Sequence, residues 1–387
     1  MMGNTFGRLF RITTCGESYG KGKGSGLSVI IDGVPSGLKI TREDIQKELD
    51  KRKPGVGKLN SPRKELDQCE IFSGFGQDGV TTGSPLGIMI YNVDTQKVHI
   101  DQYAQYKDLF RPGHATFPFF LKYGDAQDWC GAGRASGRES VTRVAGGAVA
   151  KFILAREGID VLAYTVQCMD IKAKENITYE EAKNNYRKTE INCPDLEAAE
   201  KMEERVLEIK KEGDTAGGII ELRIHNLPGG LGEPVFDKIS ATLSSAIMGI
   251  GAVKGVEFGV GFKCGNMKGS EFNDQPYLTE NGKVKFKTNN CGGTLGGMTF
   301  GEDIVMRIAV KPTPTVSVKQ TTVNMKTMKE EELDPVTRRD PTLLARIYVV
   351  AEAMAACAVL DSLYMARAYD GITKLDDKWL KLKENKK

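Results

Sequence analysis

The sequence predicts an α+β fold in one domain, with sheets packed around central helices, and three observations predict it. Short apolar runs rich in β-branched residues recur along the chain, each bounded by Gly, Asp, Asn or Pro, which is how strands are punctuated. Helical periods alternate with these runs irregularly, unlike the regular winding of a βαβ protein. One period near the C-terminal end is apolar around too much of its circumference for a surface helix.

The strand runs stand at 9–13, 27–31, 86–91, 161–166, 219–224, 256–262 and 304–310. A helix over 139–156 sets Val141, Val144, Ala145, Ala148, Phe152 and Leu154 mostly on one face, and Gly158 stands where a helix-ending glycine belongs. Residues 201–212 read as a charged amphipathic helix, a solvated face laced with i,i+4 ion pairs. Another helix begins near 234–237 and runs to about Met248. The wide apolar helix, 343–369, carries Val349, Val350, Ala353, Met354, Ala356, Cys357 and Leu360, and is expected to be buried on several sides. No linker or composition break divides the chain, so 1–375 reads as one domain and 376–387 as a charged, solvated tail.

Composition removes several function classes. With 54 Lys+Arg against 51 Asp+Glu, no global field marks a nucleic-acid or membrane-surface binder, and any anion site must be local. The first residues lack the charged and apolar regions of a signal peptide, and no stretch is read as approaching the roughly eighteen apolar residues of a membrane span. Eight scattered cysteines without a C-x-x-C pair read as reduced thiols of a cytoplasmic protein. The histidines are His99, His114 and His225, and no two stand at metal-ligand spacing. No metal is expected.

Glycine is the anomaly: 44 of 387 residues, above the roughly 7% usual. The glycines concentrate in 16–26, 131–137 and 292–301. Such clusters make tight turns or let backbone amides approach a ligand. Neither phosphate-loop template fits, since G-x-x-x-x-G-K-[ST] is absent and Gly131, Gly133 and Gly137 miss the G-x-G-x-x-G spacing by one residue. Basic and hydroxyl residues nevertheless stand beside the glycines or in comparable loops: Arg134, Ser136 and Arg138, then Lys311 with Thr313 and Thr315, then Arg338 and Arg339. Guanidinium forks, hydroxyls and backbone amides are what phosphate and carboxylate groups require.

Taken in order, these motifs resemble one family. They are Met2-Gly3-Asn4-Thr5-Phe6-Gly7-Arg8-Leu9-Phe10, Gly16-Glu17-Ser18-Tyr19-Gly20, Phe110-Arg111-Pro112-Gly113-His114-Ala115, Gly230-Leu231-Gly232-Glu233-Pro234, Ala252-Val253-Lys254-Gly255, Thr288-Asn289-Asn290, Lys311-Pro312-Thr313 and Arg339-Asp340-Pro341 with Ala351-Glu352-Ala353-Met354. Their order and spacing, held from about residue 3 to 365, are similar to chorismate synthases. The resemblance implies a β-α-β sandwich with central helices between antiparallel sheets, a homotetramer, and a site for reduced FMN and a small anionic substrate, 5-enolpyruvylshikimate-3-phosphate. It implies an anti-1,4-elimination that yields chorismate and phosphate, with the flavin returned reduced. An external flavin reductase is expected, because no second domain for nicotinamide-driven reduction is visible.

The resemblance also implies residue roles. Flavin contacts fall on Arg134, Ala135, Ser136, Gly251, Ala252, Gly296, Lys311, Pro312, Thr313, Pro314, Thr315 and Arg338. Substrate contacts fall on Arg52, Lys58, Arg111, Arg138 and Arg346. Proton handling falls on His114 and Asp340, together with Ser18 and Tyr19. Tyr19 is a departure, because the family motif normally reads Gly-Glu-Ser-His-Gly. A phenol titrates near 10; it can donate a hydrogen bond to a departing phosphate but cannot stand beside it as a cation. Cys130 replaces a basic residue and Thr116 replaces an aspartate, both within site motifs. On the sequence alone two further readings stay open: a paralogue using the same flavin site for another reaction on an anionic ligand, and a non-catalytic flavin-binding protein.

Overall fold

A computed structural model describes residues 3–19, 25–52, 57–59, 66–92, 97–334 and 340–368. Arg338, Arg339 and the 376–387 tail lie outside the described residues. The first sheet is built from β1 (Thr5–Phe6), β2 (Arg11–Gly16), β3 (Gly26–Asp32), β4 (Cys69–Ser73) and β5 (Leu86–Tyr91) in the order β1-β2-β3-β5-β4, every pair antiparallel. Alternation dictates its buried face. Leu27, Val29 and Ile31 of β3 and Leu86, Ile88 and Ile90 of β5 are all buried, as period-two side chains on one face must be.

The second sheet contains β6 (Asp160–Cys168), β7 (Ile171–Lys172), β8 (Gly218–His225) and β9 (Val253–Phe258). Two short hairpins follow, β10 (Pro276–Leu278) with β11 (Val284–Phe286) and β12 (Thr294–Leu295) with β13 (Met298–Thr299), before β14 (Ile304–Val310) completes the sheet in the order β7-β6-β8-β14-β9. This sheet too is antiparallel throughout. A last hairpin pairs β15 (Gln320–Asn324) with β16 (Lys329–Leu333).

The helices are α1 (Arg42–Arg52), α2 (Lys97–Ala104), α3 (Thr116–Tyr123), α4 (Ser140–Arg156), α5 (Tyr179–Asn185), α6 (Leu196–Lys211), α7 (Ile239–Met248), α8 (Gly269–Phe272) and α9 (Leu344–Arg367). α4 packs on β2, β3 and β5, α9 packs on β6 and β8, and the two helices pack on each other, with α1 and α7 beside them. The layers therefore run sheet, helices, sheet, which is the α+β sandwich expected. Their approach is close: a Cβ added to Gly147 of α4 would stand 2.3 Å from the Cβ of Ala353 on α9.

Buried charge pins the layers. Asp361 of α9 accepts hydrogen bonds from the backbone N–H groups of Arg8, Leu9 and Phe10 at 3.0, 2.7 and 3.0 Å, fixing the turn that leads into β2. Lys151 of α4 reaches Glu48 of α1 at 3.0 Å and Glu352 of α9 at 2.6 Å, and Glu352 also accepts the N–H of Ala163 on β6. Burial works against the Lys151 charge, yet the two carboxylates beside it raise its pKa well above the usual range.

Several boundaries differ from the expectation, each for a local reason. The 256–262 strand is Val253–Phe258, because Gly259 and Gly261 take left-handed φ of +55° and +57° and turn the chain away. The helix expected from 234–237 starts at Ile239, since Glu233 N–H donates to Asp237 C=O and closes a turn first. The charged helix begins earlier, at Leu196 behind an Asp195 cap. It carries an i,i+4 pair, Lys201–Glu197 at 2.7 Å, but also buries Met202, Val206 and Ile209. By length and hydropathy α9 does qualify as a membrane span, contrary to the sequence reading, but it is buried almost throughout and is the core helix of the sandwich.

Candidate active site

The site grows from the segment that leaves β14, residues 311–315. Lys311 N–H donates to Ala252 C=O at 3.0 Å, and Ala252 takes a left-handed φ of +74° to present it. On the other side Thr215 Oγ1 donates to Thr313 C=O at 2.7 Å, while Ala216 N–H donates to Pro341 C=O at 2.8 Å. Three predicted segments, around 251–252, 311–315 and 340, are thereby laid side by side. Gly217 between them must lack a side chain, since a Cβ there would meet Val310 O at 2.7 Å and Pro312 at 3.0 Å.

The Arg111–His114 turn docks onto the same segment. Gly113 has φ +67° and sits so close to Pro314 that a Cβ would stand 2.7 Å from its ring. Lys311 Nζ donates to Gly113 C=O at 2.8 Å. His114 Nδ1 lies 2.9 Å from Pro112 O, and its Nε2 lies 2.9 Å from Arg111 Nη2 and 3.2 Å from Thr315 Oγ1. A carbonyl oxygen only accepts, so Nδ1 carries the proton; a guanidinium only donates, so Nε2 offers its lone pair. Burial first, then Arg111, lowers the His114 pKa to about 4, with Lys311 adding to the effect against the opposing Pro112 hydrogen bond. His114 is neutral across the physiological range.

Arg111 and Lys311 share an unusual condition. Among the described residues their hydrogen-bond partners are neutral, an imidazole nitrogen and a carbonyl oxygen, and neither has a carboxylate within ion-pair distance. Burial pushes both pKa values below their usual range, with Lys254 adding to the effect on Lys311 and the phenols of Tyr103 and Tyr106 opposing it at Arg111. A cleft opens here, lined by Tyr106, Arg111, His114, Thr315, Leu333 and Asp334 among others.

Tyr19 stands at the other end of a short relay. Its ring meets Tyr103 of α2 edge-on, with centroids 5.3 Å apart and planes at 63°, and Tyr103 lies in turn within electrostatic reach of Arg111. Behind Tyr19 the backbone of Gly131 passes so near that a Cβ would stand 2.5 Å from the ring and 3.3 Å from Ser18 Oγ. Ser18 itself is buried. Arg134 ties the 133–136 turn to β2, donating to Gly16 C=O, Thr14 C=O, Thr14 Oγ1 and Asn4 Oδ1 at 2.6–3.2 Å. Ser136 Oγ accepts the Arg138 N–H at 3.3 Å, and Ala135 is exposed.

Other predicted residues are committed elsewhere. Arg52 and Arg138 both close on Asp67, which is wholly buried in a left-handed conformation at φ +46°. Arg52 also donates to Ser140 Oγ and Gly137 C=O, and Arg138 to Asn92 Oδ1 and Tyr91 C=O. These two guanidinium groups, which the sequence read as substrate contacts, share one buried carboxylate. Asp340 pairs with Arg346 at the head of α9. The Lys58 N–H donates to Glu190 at 3.2 Å. Gly251 has open space around it, Gly296 meets only the end of Met298, and Pro312 is exposed.

Three residues that matter here escaped the sequence reading. Tyr103 and Tyr106 stand three apart just ahead of the Arg-Pro-Gly-His motif, and that spacing was the available signal. Asp67 gave none, because its partners are 15 and 71 residues away. The fit to a phosphate-bearing flavin can be judged from the walls. Arg111 and Lys311 lack a compensating anion among the described residues, the backbone at Gly251 and Gly296 is accessible, and Thr313 Oγ1 is buried without a hydrogen-bond partner. These residues fit such a group.

Comparison with known proteins bears on the family and the fold. A sequence model of chorismate synthase matches residues 10–364. A protein named chorismate synthase from Acetivibrio thermocellus is 54% identical, covering 99% of this chain and 100% of that protein. Proteins of the same name from Methanococcoides burtonii and a Synechocystis species are 48% and 45% identical, covering 93% and 95% of this chain and 96% and 99% of theirs. A solved structure described as the crystal structure of chorismate synthase superposes with a TM-score of 0.74 at 29% identity, over 98% of this chain and 99% of that one. With that extent of match in sequence and in fold, this chain belongs to the chorismate synthase family.

Proposed function

We propose that the chain is a lyase that eliminates phosphate from 5-enolpyruvylshikimate-3-phosphate to form chorismate, with reduced FMN bound in the cleft beside His114. One observation carries the placement: Arg111, which lines the cleft with His114, and Lys311, which reaches the adjoining Gly113, are half-buried cations with neutral partners beside a neutral histidine. A buried cation without an anion is costly, and an anionic substrate or cofactor phosphate supplies the missing charge. Arg52 and Arg138 differ in sharing the Asp67 carboxylate between them.

The elimination breaks a C–O bond to phosphate and, on the opposite face, a C–H bond in 1,4 relation to it; the ring C=C between them shifts, so that two conjugated C=C bonds replace one. When bound, reduced flavin supplies transient electron density that makes loss of phosphate possible and is restored at the end. The residues of this chain do the rest. Arg111 and Lys311 hold the anionic groups, and charge-assisted hydrogen bonds of that kind are the strong ones. His114 presents Nε2 as a lone pair able to take up and return a proton at the cofactor's edge. Asp340, oriented by Arg346, faces the C–H as the route for its proton. The Tyr19 phenol, braced by Tyr103 and the bare backbone of Gly131, donates a hydrogen bond to the leaving phosphate. Thr313 Oγ1 and the exposed backbone at Gly251, Ala252 and Gly296 line the flavin.

A homotetramer, cytoplasmic residence and an external reductase that delivers the reduced flavin belong to the same proposal. Large apolar side chains left exposed on the isolated chain, Phe236 at 88%, Phe262 at 86% and Leu121 at 68%, suit burial between subunits. Anaerobic incubation with reduced FMN and the phosphate ester tests the reading, with chorismate and inorganic phosphate expected in equal amounts. Tight flavin binding without either product would reassign the site to a different reaction. Absence of flavin affinity in both redox states would remove the proposal altogether.

A further inference from the structure

Arg111 touches His114 in a way that only one protonation state allows. Its Nη2 is 2.9 Å from His114 Nε2, and a guanidinium has no acceptor to offer an imidazolium. Thr315 Oγ1, 3.2 Å from the same nitrogen, is different: its hydroxyl can donate to a bare Nε2 or rotate and accept from Nε2–H. Among the hydrogen-bond contacts of the ring, Arg111 is therefore the one that forbids protonation, while burial, the largest cause, and Lys311 also disfavour the charge and Pro112 favours it. The charged and titratable groups facing the ring from each neighbouring element can be named: Arg111 from its own turn, Lys311 from the segment after β14 with Lys254 behind it, Tyr106 from the residues following α2, and Asp334 beyond β16.

Arg111 also lacks a carboxylate partner among the described residues. A ligand anion in the cleft competes for it directly, since a guanidinium prefers a bidentate oxyanion to a single neutral nitrogen. We propose that Arg111 is a positioning residue that holds His114 neutral in the empty site, and that an anion entering the cleft draws the guanidinium off Nε2 and lets the ring take a proton from solvent. Anion binding and protonation of His114 are then one coupled event. The enzyme arms its acid only when a substrate is present, and without one the ring cannot waste its proton on bound flavin. This deepens the proposed function and rests on its reading of the cleft as an anion site.

Nitrogen NMR of histidine tests the coupling without catalysis, and the chain simplifies it by having only His99, His114 and His225. Inorganic sulfate serves as the probe because its own charge is constant over the range used, with chloride at matched ionic strength as the control. In the sulfate-free protein at neutral pH, His114 should show a protonated Nδ1 and a bare Nε2, with a titration midpoint near 4. Sulfate should raise that midpoint by more than about one pH unit, toward the roughly 6.5 of free imidazole. Arg111→Met, which keeps bulk and removes the donor, should raise it without sulfate and abolish the sulfate response. An unchanged His225 signal, which reports its contact with Asp303, certifies that the variant is folded.

The two ways of failing are separable. If sulfate shifts the Arg111 guanidinium signals but leaves His114 unprotonated, or if Arg111→Met leaves the midpoint near 4, the coupling is wrong and the anion site stands. If sulfate perturbs neither group, the cleft is no anion site, and both this inference and the placement of the substrate fall.

Discussion

Tyr19 stands where the resemblance to the family implied a histidine, and its surroundings say what a phenol does there. The phenol is seated between Tyr103 and a glycine that leaves it no room to move back, so it is placed as firmly as an imidazole would be. What it lacks is a charge at neutral pH. Tyr19→His restores a proton donor matched to the working pH, for which the seat is large enough. Turnover of the phosphate ester should rise by roughly tenfold, within the span general acids contribute, and the pH profile should gain a limb near the imidazole pKa. Unchanged turnover with flavin affinity retained would mean that the leaving phosphate draws its proton from elsewhere. Asp67 shows the opposite kind of residue, silent in the sequence and decisive in the fold. Asp67→Ala leaves Arg52 and Arg138 buried without their shared anion, and removing one partner of a buried charge cluster costs about 3–5 kcal/mol. Chemical denaturation should show that loss, and a loss under about 1 kcal/mol would mean that water already screens the cluster.

At the scale of elements, what the sequence made legible was whatever is local. Apolar runs bounded by turn residues at 86–91 and 304–310 located β5 and β14 residue for residue, because that punctuation is written in the strand's own neighbourhood. The α4 and α9 helices were recovered within a residue or two for the same reason. Boundaries failed where a distant partner decides them. Gly259 turns the chain because a Cβ there would stand 2.0 Å from Asn290 O, a crossing that no window around β9 contains. Gly146 and Gly147 look like weaknesses in the middle of α4, and only the packed helices reveal that Gly147 is where α9 crosses. Gly147→Ala should therefore destabilise, despite the better helix propensity of alanine, by about 1–3 kcal/mol from overpacking against Ala353. A thermal melt checks the sign: an unchanged or raised midpoint would show that the two helices can separate at little cost.

At the scale of the whole molecule, the site was legible as a set of motifs but not as a geometry. The sequence brought His114, Lys311, Thr315 and Asp340 to attention, and the fold gathers their segments at one end of the second sheet, where β8 and β9 begin and β14 ends. It could not separate Arg111, which lacks a counter-charge among the described residues, from Arg52 and Arg138, which are fully engaged. All three look alike in a glycine-rich or basic context, and only long-range pairing distinguishes them. The same long-range pairing bears on whether the chain unfolds as one body. Both sheets lean on the α4 and α9 pair, and Asp361 of α9 holds three consecutive N–H groups at the entrance to the first sheet, so neither sheet keeps a core if the helices leave. Calorimetry should accordingly find a single transition for residues 1–375, and two resolved transitions would divide the chain into separate domains. Asp361→Ala strands those three donors, at a cost of about 3 kcal/mol or more, and sharpens the question. If the molecule is one cooperative unit, the variant's single transition moves down intact. If instead the first sheet melts ahead of the second, the helices belong to one sheet more than the other, and the sandwich is an assembly of two halves whose contact the active-site loops merely border.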